Sequence, residues 1–325
     1  MSSFLIRRMA FVFVSLIGAT AIVFALSRMA GDPILLYAKP YGYGDTEEYL
    51  NNLRAHLGLD QPLVVQYVKW VWQLAQGDLG LTLLSRRPVI DVIGEKIWNT
   101  FQLAFTGWLF ATVLGVPLGV LSAVKRGTFW DYIGRGFALF GQALPAFWVG
   151  VMLVLVFSVT WELLPTAFKA PPSVSDDYVH WNPWGFYPEY FILPTITIGW
   201  GAAAGYLRIT RSAMLEVMDS EFVKLARAKG ASTSSVIWKH AFKNALIPPL
   251  TVSALLLAGL MNGAVVAEVV FAWPGLGRIA LVEAVNNNDF PLLTGAIFIF
   301  TIIYLVMNFV ADMLYAWADP RIRYS

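Results

Sequence analysis

Residues 221–251 read EFVKLARAKGASTSSVIWKHAFKNALIPPLT, and the prediction of the fold starts from them. This stretch is strongly basic, whereas long apolar segments flank it on both sides. In the loops that connect membrane spans, Lys and Arg collect on the cytoplasmic side of the bilayer. The stretch therefore predicts a cytoplasmic loop between two transmembrane helices of an all-α polytopic membrane protein.

The residue order within this loop predicts a helix, a turn and a second helix. Asp219 or Ser220 can cap a first helix, 221–229. Gly230 fits the position just after that helix, where a left-handed backbone costs glycine nothing. The serines that follow can cap a second helix, Val236–Leu246, which leads into the next span.

The first helix of the loop has an apolar face formed by Phe222, Leu225 and Ala226. A loop that obeys only the positive-inside rule needs neither an apolar face nor a glycine break, so we interpret this helix as a partner site. An ordinary solvated basic loop is the alternative. The other residues that we assign to the site are Glu221, Lys224, Arg227, Lys229, Gly230 and, in the second helix, His240.

The composition of the whole chain is that of a membrane protein. Of 325 residues, 58% are hydrophobic and 14% are charged, whereas soluble domains have about 25% charged residues. The 13 Trp residues suit two wide membrane interfaces. The basic residues form no single free surface, so we expect no nucleic-acid partner. Cysteine is absent, which excludes disulfides and a thiol nucleophile.

Six apolar segments are long enough to cross a hydrocarbon core of about 30 Å, which takes ~20 helical residues. A secretory signal is the alternative for the first segment, but its apolar run is longer than a signal core. The six predicted spans are Met9–Ser27, Thr100–Val124, Tyr132–Trp161, Phe191–Ile209, Leu246–Val270 and Leu292–Ala316. Prolines within or at the start of four of them, among them Pro117 and Pro145, predict kinks.

The distribution of Lys and Arg places both termini in the cytoplasm. The chain is then a single transmembrane domain, 1–325, with two external loops, 28–99 and 165–190, and the cytoplasmic loop 212–245. Within the first external loop, Pro62–Gln76 is apolar and aromatic, and we expect a helix that lies flat at the membrane interface.

The chain lacks the motifs of an enzyme. A phosphate-binding loop of the form GxxxxGK[ST] does not occur, so we expect no ATP hydrolysis by this chain and no cofactor of its own. The three histidines, His56, His180 and His240, have no metal-ligand spacing. We therefore predict no catalytic residue and no metal site.

Few polar side chains fall within the predicted spans. Gln142, Asn262 and Glu268 could line a pathway or gate. Bonding between neighbouring helices is the favoured alternative for Gln142 and Asn262, and a structural ion pair or capping role is the alternative for Glu268. A proton-coupled carrier would need several acidic residues in mid-membrane, and the predicted spans contain none there. The spacing of Gly115–Gly119 and Gly201–Gly205 permits close helix packing.

Two segments of the basic loop, Arg227–Gly230 and His240–Pro248, resemble the EAA loop of ABC importer membrane subunits in the form ARAKG…HAxxNALIP of the peptide importers. Within the EAA triplet itself only Ala226 matches the general pattern. Five further segments are similar to the dipeptide, oligopeptide and nickel permeases, in particular to the first of the two permeases in each system: Gly263–Arg278, Asp319–Arg323, Gly31–Pro33, Leu57–Pro62 and Gly77–Gly80.

This resemblance implies a type I ABC importer permease fold with six transmembrane helices. It also implies four kinds of partner: a second homologous permease, two cytoplasmic ABC ATPases that bind the ATP, an external substrate-binding protein and the lipid bilayer. The implied cargo is a di- or oligopeptide, with oligosaccharides and nickel chelates as alternatives. An ion-coupled carrier or a non-catalytic membrane scaffold is the alternative from another class.

Overall fold

The computed structural model describes residues 2–29, 52, 54–55, 58–170 and 187–318. Five of the residues and segments discussed above lie wholly or largely outside these residues: the motifs 31–33 and 319–323, His56, His180, and most of the loop 165–190. The described helices, in chain order, are α1 (Ser2–Met29), α2 (Leu63–Ala75), α3 (Val89–Val124), α4 (Phe129–Ala143), α5 (Ala146–Leu153), α6 (Pro188–Met218), α7 (Glu221–Ala228), α8 (Thr233–Ser235), α9 (Lys243–Ala245), α10 (Ile247–Val270), α11 (Leu276–Arg278) and α12 (Phe290–Ala318). Three π-helical segments, Val154–Thr160, Val236–Phe242 and Ile279–Ala284, extend α5, α8 and α11.

Five helices of the described residues are long and apolar enough to cross a membrane, namely α1, α3, α6, α10 and α12. A sixth is obtained when α4 and the helix Ala146–Thr160, a pair bent by 104°, are counted as one span. The six predicted spans are therefore confirmed in number. The third was wrong in shape, because Leu144 and Pro145 adopt extended backbone angles and break the helix instead of kinking it.

The contacts of the chain group into two compact units, where the sequence analysis expects a single domain. The first unit comprises Met1–Trp98 and Gly275–Leu305. In its core, the buried side chains of Leu79, Val89 and Ile93 pack against buried residues of the segment 276–296. The carboxylate of Asp289, the residue before α12, accepts hydrogen bonds from the backbone amides of Leu292 (3.1 Å) and Leu83 (2.8 Å), and so ties the loop before α3 to the start of α12.

The second unit comprises Asn99–Pro274 and Val306–Ser325. Within it, α3 and α6 approach each other closely because glycines of α3 face the backbone of α6. A Cβ atom on Gly115 would collide with the carbonyl oxygen of Ala203 and lie 2.7 Å from Cβ of Tyr206. A Cβ on Gly119 would lie 2.8 Å from the carbonyl oxygen of Leu207. These two glycines therefore do what their spacing predicts.

This close approach makes Gly115 intolerant of a side chain. We expect Gly115→Ala to lower the free energy of unfolding by about 1–3 kcal/mol, the usual cost of overpacking a core. Gly205→Ala is the matched control on α6, because a Cβ there meets only the amide nitrogen of Gln142, at 3.8 Å. Thermal unfolding of the purified variants measures the difference. A Gly115→Ala variant as stable as Gly205→Ala would contradict the packing.

Candidate functional site

Helix α7 (Glu221–Ala228), the first helix of the basic loop, keeps two apolar side chains exposed. Phe222 is 47% exposed and Leu225 is 56% exposed. On the adjoining side of the helix, Val223 and Ala226 are buried against the protein's own core. Ala226 follows Phe222 by four residues and so lies near it on the helix surface, but it is buried, and the exposed part of the predicted apolar face consists of Phe222 and Leu225.

The core behind α7 joins it to two membrane-crossing helices. Val223 and Ala226 belong to one cluster of buried side chains that also contains residues of α3, of α6 and of the segment after the glycine turn: Val120, Ala123, Ala213, Met214, Val236, Ala241 and Ala245. A helix of only eight residues has little stability of its own. Packing in this cluster therefore fixes the position of α7.

The charged side chains of α7 lie on its surface. Lys224 donates to the Glu221 carboxylate at 2.8 Å, and both side chains are largely exposed, so this ion pair contributes at most about 1 kcal/mol. Arg227 and Lys229 are exposed as well. Ser220 occupies the N-cap position as expected, but its hydroxyl donates to the carbonyl of Val217 and does not accept from α7.

The glycine turn has the hydrogen bonds of a Schellman motif. The amide of Ala231 donates to the carbonyl of Ala226 (3.2 Å), and the amide of Gly230 donates to that of Arg227 (2.9 Å). Gly230 has a φ of +78°, in the left-handed region. The predicted role of Gly230 as the residue that ends the helix is thus confirmed.

The second half of the loop differs from the regular helix predicted over Val236–Leu246. The hydroxyl of Ser232 caps its start by accepting from the amide of Ser235 at 3.3 Å, but Val236–Phe242 is π-helical. His240 is half-buried within this segment. Trp238 is 54% exposed and packs edge-to-face on Phe242, with ring centroids 5.3 Å apart.

An ion pair that the sequence analysis did not single out joins α4 to α6, close to the basic loop. Arg211 donates from Nε and Nη2 to the two carboxylate oxygens of Asp131, at 2.8 and 3.1 Å. Ser122 Oγ (2.7 Å) and the amide of Gly127 (3.0 Å) donate to the same carboxylate. Asp131 is only 2% exposed. Its carboxylate is therefore fully hydrogen-bonded, and it connects the ends of three helices.

The three candidate pathway residues lie in different surroundings. Gln142 is exposed at the end of α4, next to the break in the third span. Asn262 is half-buried on α10. Glu268 is fully buried and accepts a hydrogen bond from Thr100 Oγ1 at 2.6 Å. In this structure Gln142 is thus the candidate with the most accessible side chain, and Glu268 is part of the protein interior.

A second polar cluster lies in the same unit, around Asn99. Its side chain accepts from Lys169 Nζ at 2.7 Å and donates to the carbonyl of Pro274 at 2.9 Å, while its backbone carbonyl accepts from Trp273 Nε1 at 3.1 Å. Lys169 is 2% exposed, and this burial lowers the pKa of its ammonium group to about 8. The cluster fastens Lys169, near the start of the loop 165–190, to α3 and to the turn after α10.

The described residues contain no group of three His, Cys, Asp or Glu side chains that could hold a metal ion.

The sequence did not predict the two polar clusters, around Asp131 and around Asn99, because the members of each cluster are far apart in the chain. No short sequence motif indicates either polar cluster. Helix α7, by contrast, is a local pattern of eight residues and a glycine, so it could be predicted from the sequence.

Comparisons with known proteins agree with this architecture. Residues 115–324 match the family "Binding-protein-dependent transport system inner membrane component", and residues 1–104 match the N-terminal model of such membrane components. The chain is 36% identical to the dipeptide transport system permease protein DppB of Escherichia coli (strain K12), over an alignment of 341 positions that covers 100% of both chains. It is also 36% identical to the glutathione transport system permease protein GsiC of the same strain, over 326 residues and again 100% of both chains.

Solved structures show the same fold at low sequence identity. An inward-facing structure of the MetNI methionine ABC transporter matches with a TM-score of 0.56 and 18% identity, over 70% of this chain and 96% of that chain. An amino acid ABC transporter matches with a TM-score of 0.51 and 11% identity, over 69% of this chain and 93% of that chain. The chain therefore belongs to the binding-protein-dependent transport system inner membrane component family, and is a multi-pass permease subunit of an ABC importer.

Proposed function

We propose that this permease is one of two paired subunits that form a pathway for di- and oligopeptides, delivered by an external binding protein. Two full-length relatives support this cargo, since their names specify dipeptide and glutathione, itself a short peptide. The subunit is a transport protein and not an enzyme, so energy would come from two separate cytoplasmic ATPases that bind ATP.

The observation that carries the coupling to ATP is the exposed apolar pair on α7. Phe222 and Leu225 project from a helix whose other side is buried, and exposed apolar side chains of this kind are typical anchors at protein interfaces. We propose that they occupy a cleft in an ATPase. The exposed charges at Glu221, Lys224, Arg227 and Lys229 would form a polar rim around them.

Force applied to α7 would reach the spans through the buried cluster behind it. Val223 and Ala226 share this cluster with residues of α3 and α6, so movement of α7 must either carry these helices along or break the packing. An ATPase that closes on ATP would thereby favour one arrangement of the spans over another. This coupling requires only that the interface differ between the two arrangements.

Uptake by proteoliposomes tests the proposed function. The vesicles would contain both permeases and both ATPases, with binding protein outside, ATP inside and no ion gradient. We expect ATP-dependent accumulation of a labelled dipeptide that excess oligosaccharide or nickel chelate does not inhibit. Accumulation only under an imposed ion gradient would instead indicate a secondary carrier, and inhibition by oligosaccharide or nickel chelate would overturn the peptide assignment.

Substitutions at Gly230 test the role of α7 as a lever. A Cβ at this position meets no atom within 4 Å, so any effect comes from the left-handed backbone and not from a clash. Asn tolerates this conformation, Ala tolerates it less well and β-branched Val least. We expect transport per ATP hydrolysed to fall in the order Gly, Asn, Ala, Val, with about 1–3 kcal/mol of backbone strain for Val. Wild-type transport by assembled Gly230→Val would exclude the lever.

A further inference from the structure

Helix α2 (Leu63–Ala75), in the first external loop, is held against α1 by a hydroxyl and by aromatic rings. Tyr67 Oη lies 3.0 Å from Thr20 Oγ1 and 3.2 Å from the carbonyl oxygen of Ile17. The ring of Phe24 is 5.5 Å from that of Tyr67 and 5.7 Å from that of Trp70. Both contacts lie within the first unit of the chain, and they fix where α2 sits along α1.

The level of these contacts is deep within the span. The apolar span of α1 ends at Met29, with Arg28 in the last turn of the helix. At ~1.5 Å per helical residue, Thr20 lies about 12 Å and Ile17 about 16 Å below Arg28. Half of a hydrocarbon core is only ~15 Å thick. The hydroxyl of Tyr67 therefore lies towards the middle of the membrane.

Helix α12 gives the same depth independently. Trp70 lines one small crevice together with Thr20 of α1 and with Phe298 and Thr301 of α12. Because α12 begins at Phe290, Phe298 lies about 12 Å and Thr301 about 16 Å along it, at ~1.5 Å per residue. Two spans therefore agree that α2 extends well below the membrane surface, and not only along it.

The outward side of α2 is apolar. Val64 is 73% exposed, Val68 59% and Trp72 66%, at a spacing of four residues that puts them on one face. A helix that borders water carries polar residues on its outer face. The exposed polar side chains of α2, Lys69 and Gln73, lie on a separate narrow stripe. Gln66 is on the same stripe but is half-buried, and its Nε2 donates to the carbonyls of Leu59 (3.2 Å) and Gln61 (2.7 Å).

We propose that α2 is embedded in the outer leaflet, with the Val64–Val68–Trp72 face against lipid acyl chains and with Lys69 and Gln73 towards the external aqueous phase. Acyl chains are the occupant that matches the depth of the helix and its apolar face. At the same level of α1, Ile22 and Leu26 are 62% and 59% exposed, as is usual at a lipid-facing level. The sequence analysis expected a helix at the interface, and this placement is deeper.

The embedded helix has a physical purpose. Thr20 is a hydroxyl within a span, and facing lipid it could bond only its own helix. Tyr67 and Trp70 cover it, so that Thr20 is 5% exposed and has a partner from α2. The helix would thus act as a wedge that shields the polar positions of α1 and α12 from lipid.

Site-directed spin labelling of the assembled, reconstituted transporter tests this placement. The chain has no cysteine, so with cysteine-free partners a single nitroxide can be placed at Val64→Cys, Val68→Cys or Trp72→Cys. Oxygen concentrates in lipid and a nickel chelate remains in water. We expect the ratio of oxygen to nickel-chelate accessibility to be several-fold higher at these three positions than at Lys69→Cys, the matched control on the polar stripe.

Two results would overturn the proposal. Nickel-chelate accessibility at all three positions equal to that at Lys69→Cys would mean that α2 borders water. Labels that are immobile and protected from both reagents would mean that another protein covers the face. Three independent positions keep the test decisive even when one labelled variant fails to assemble, and neither readout depends on the transported substrate.

Discussion

Phe222→Asp combined with Leu225→Asp is expected to abolish ATPase binding and ATP-dependent uptake. Interface anchors contribute about 2 kcal/mol or more when truncated, which corresponds to a loss of roughly 30-fold or more in affinity for each. A carboxylate in an apolar cleft adds a desolvation penalty to that loss. Titration of purified ATPase onto the permease pair in lipid nanodiscs measures the dissociation constant directly.

The structure also supplies the control for this prediction. Both side chains are about half exposed, so their replacement leaves the buried cluster behind α7 intact and should leave thermal stability nearly unchanged. Ser234→Asp adds a carboxylate to the same loop at an exposed position without removing an anchor. Equal dissociation constants for Ser234→Asp and the double variant would refute the docking role of Phe222 and Leu225.

Asp131→Ala is the substitution from which we expect the largest loss of stability. It removes the acceptor of four hydrogen bonds and leaves Arg211, whose side chain is 22% exposed, without its counter-charge. Breaking a buried ion pair on one side costs about 3–5 kcal/mol. Thermal unfolding of the purified subunit and its abundance in membranes should both fall well below those of the wild type.

A second variant separates the ion pair from the packing around it. Asp131→Leu together with Arg211→Met replaces both charges by apolar groups, and such replacements of buried pairs are often neutral. We expect the double variant to be more stable than Asp131→Ala. If the double variant were instead as unstable as the single one, the loss would come from shape and not from the unpaired charge of Arg211.

The sequence predicted the number of spans and the helix–glycine–helix order of the basic loop, because both depend on local patterns. It did not predict which residues of α7 are buried. Apolar residues occur there in two adjacent pairs, 222–223 and 225–226, so helical periodicity alone fits either orientation. The core formed with residues of α3 and α6 decides between them.

Two other features could not be predicted from the sequence, for a different reason. Pro145 predicted a kink, but the angle of 104° depends on how α4 and α5 pack on α6, where Gly141 leaves no room for a side chain beside Ala204. The Asp131–Arg211 pair joins residues that are distant in the chain. Composition and spacing carry no information about such a contact, nor about the contacts of α2 with α1 and α12 from which we infer its depth.

The contact between α3 and α6 at Gly115 and Gly119 has a mechanical consequence. Where two helices are separated by side chains, those side chains can change rotamers and let one helix shear past the other. At Gly115 and Gly119 the backbone of α3 instead faces carbonyl oxygens and Cβ atoms of α6, so no flexible side chain separates the two helices at these positions. We expect the two helices to tilt together as a rigid pair. A displacement of α7, which directly follows α6 in the chain, would then tilt both spans through the same angle.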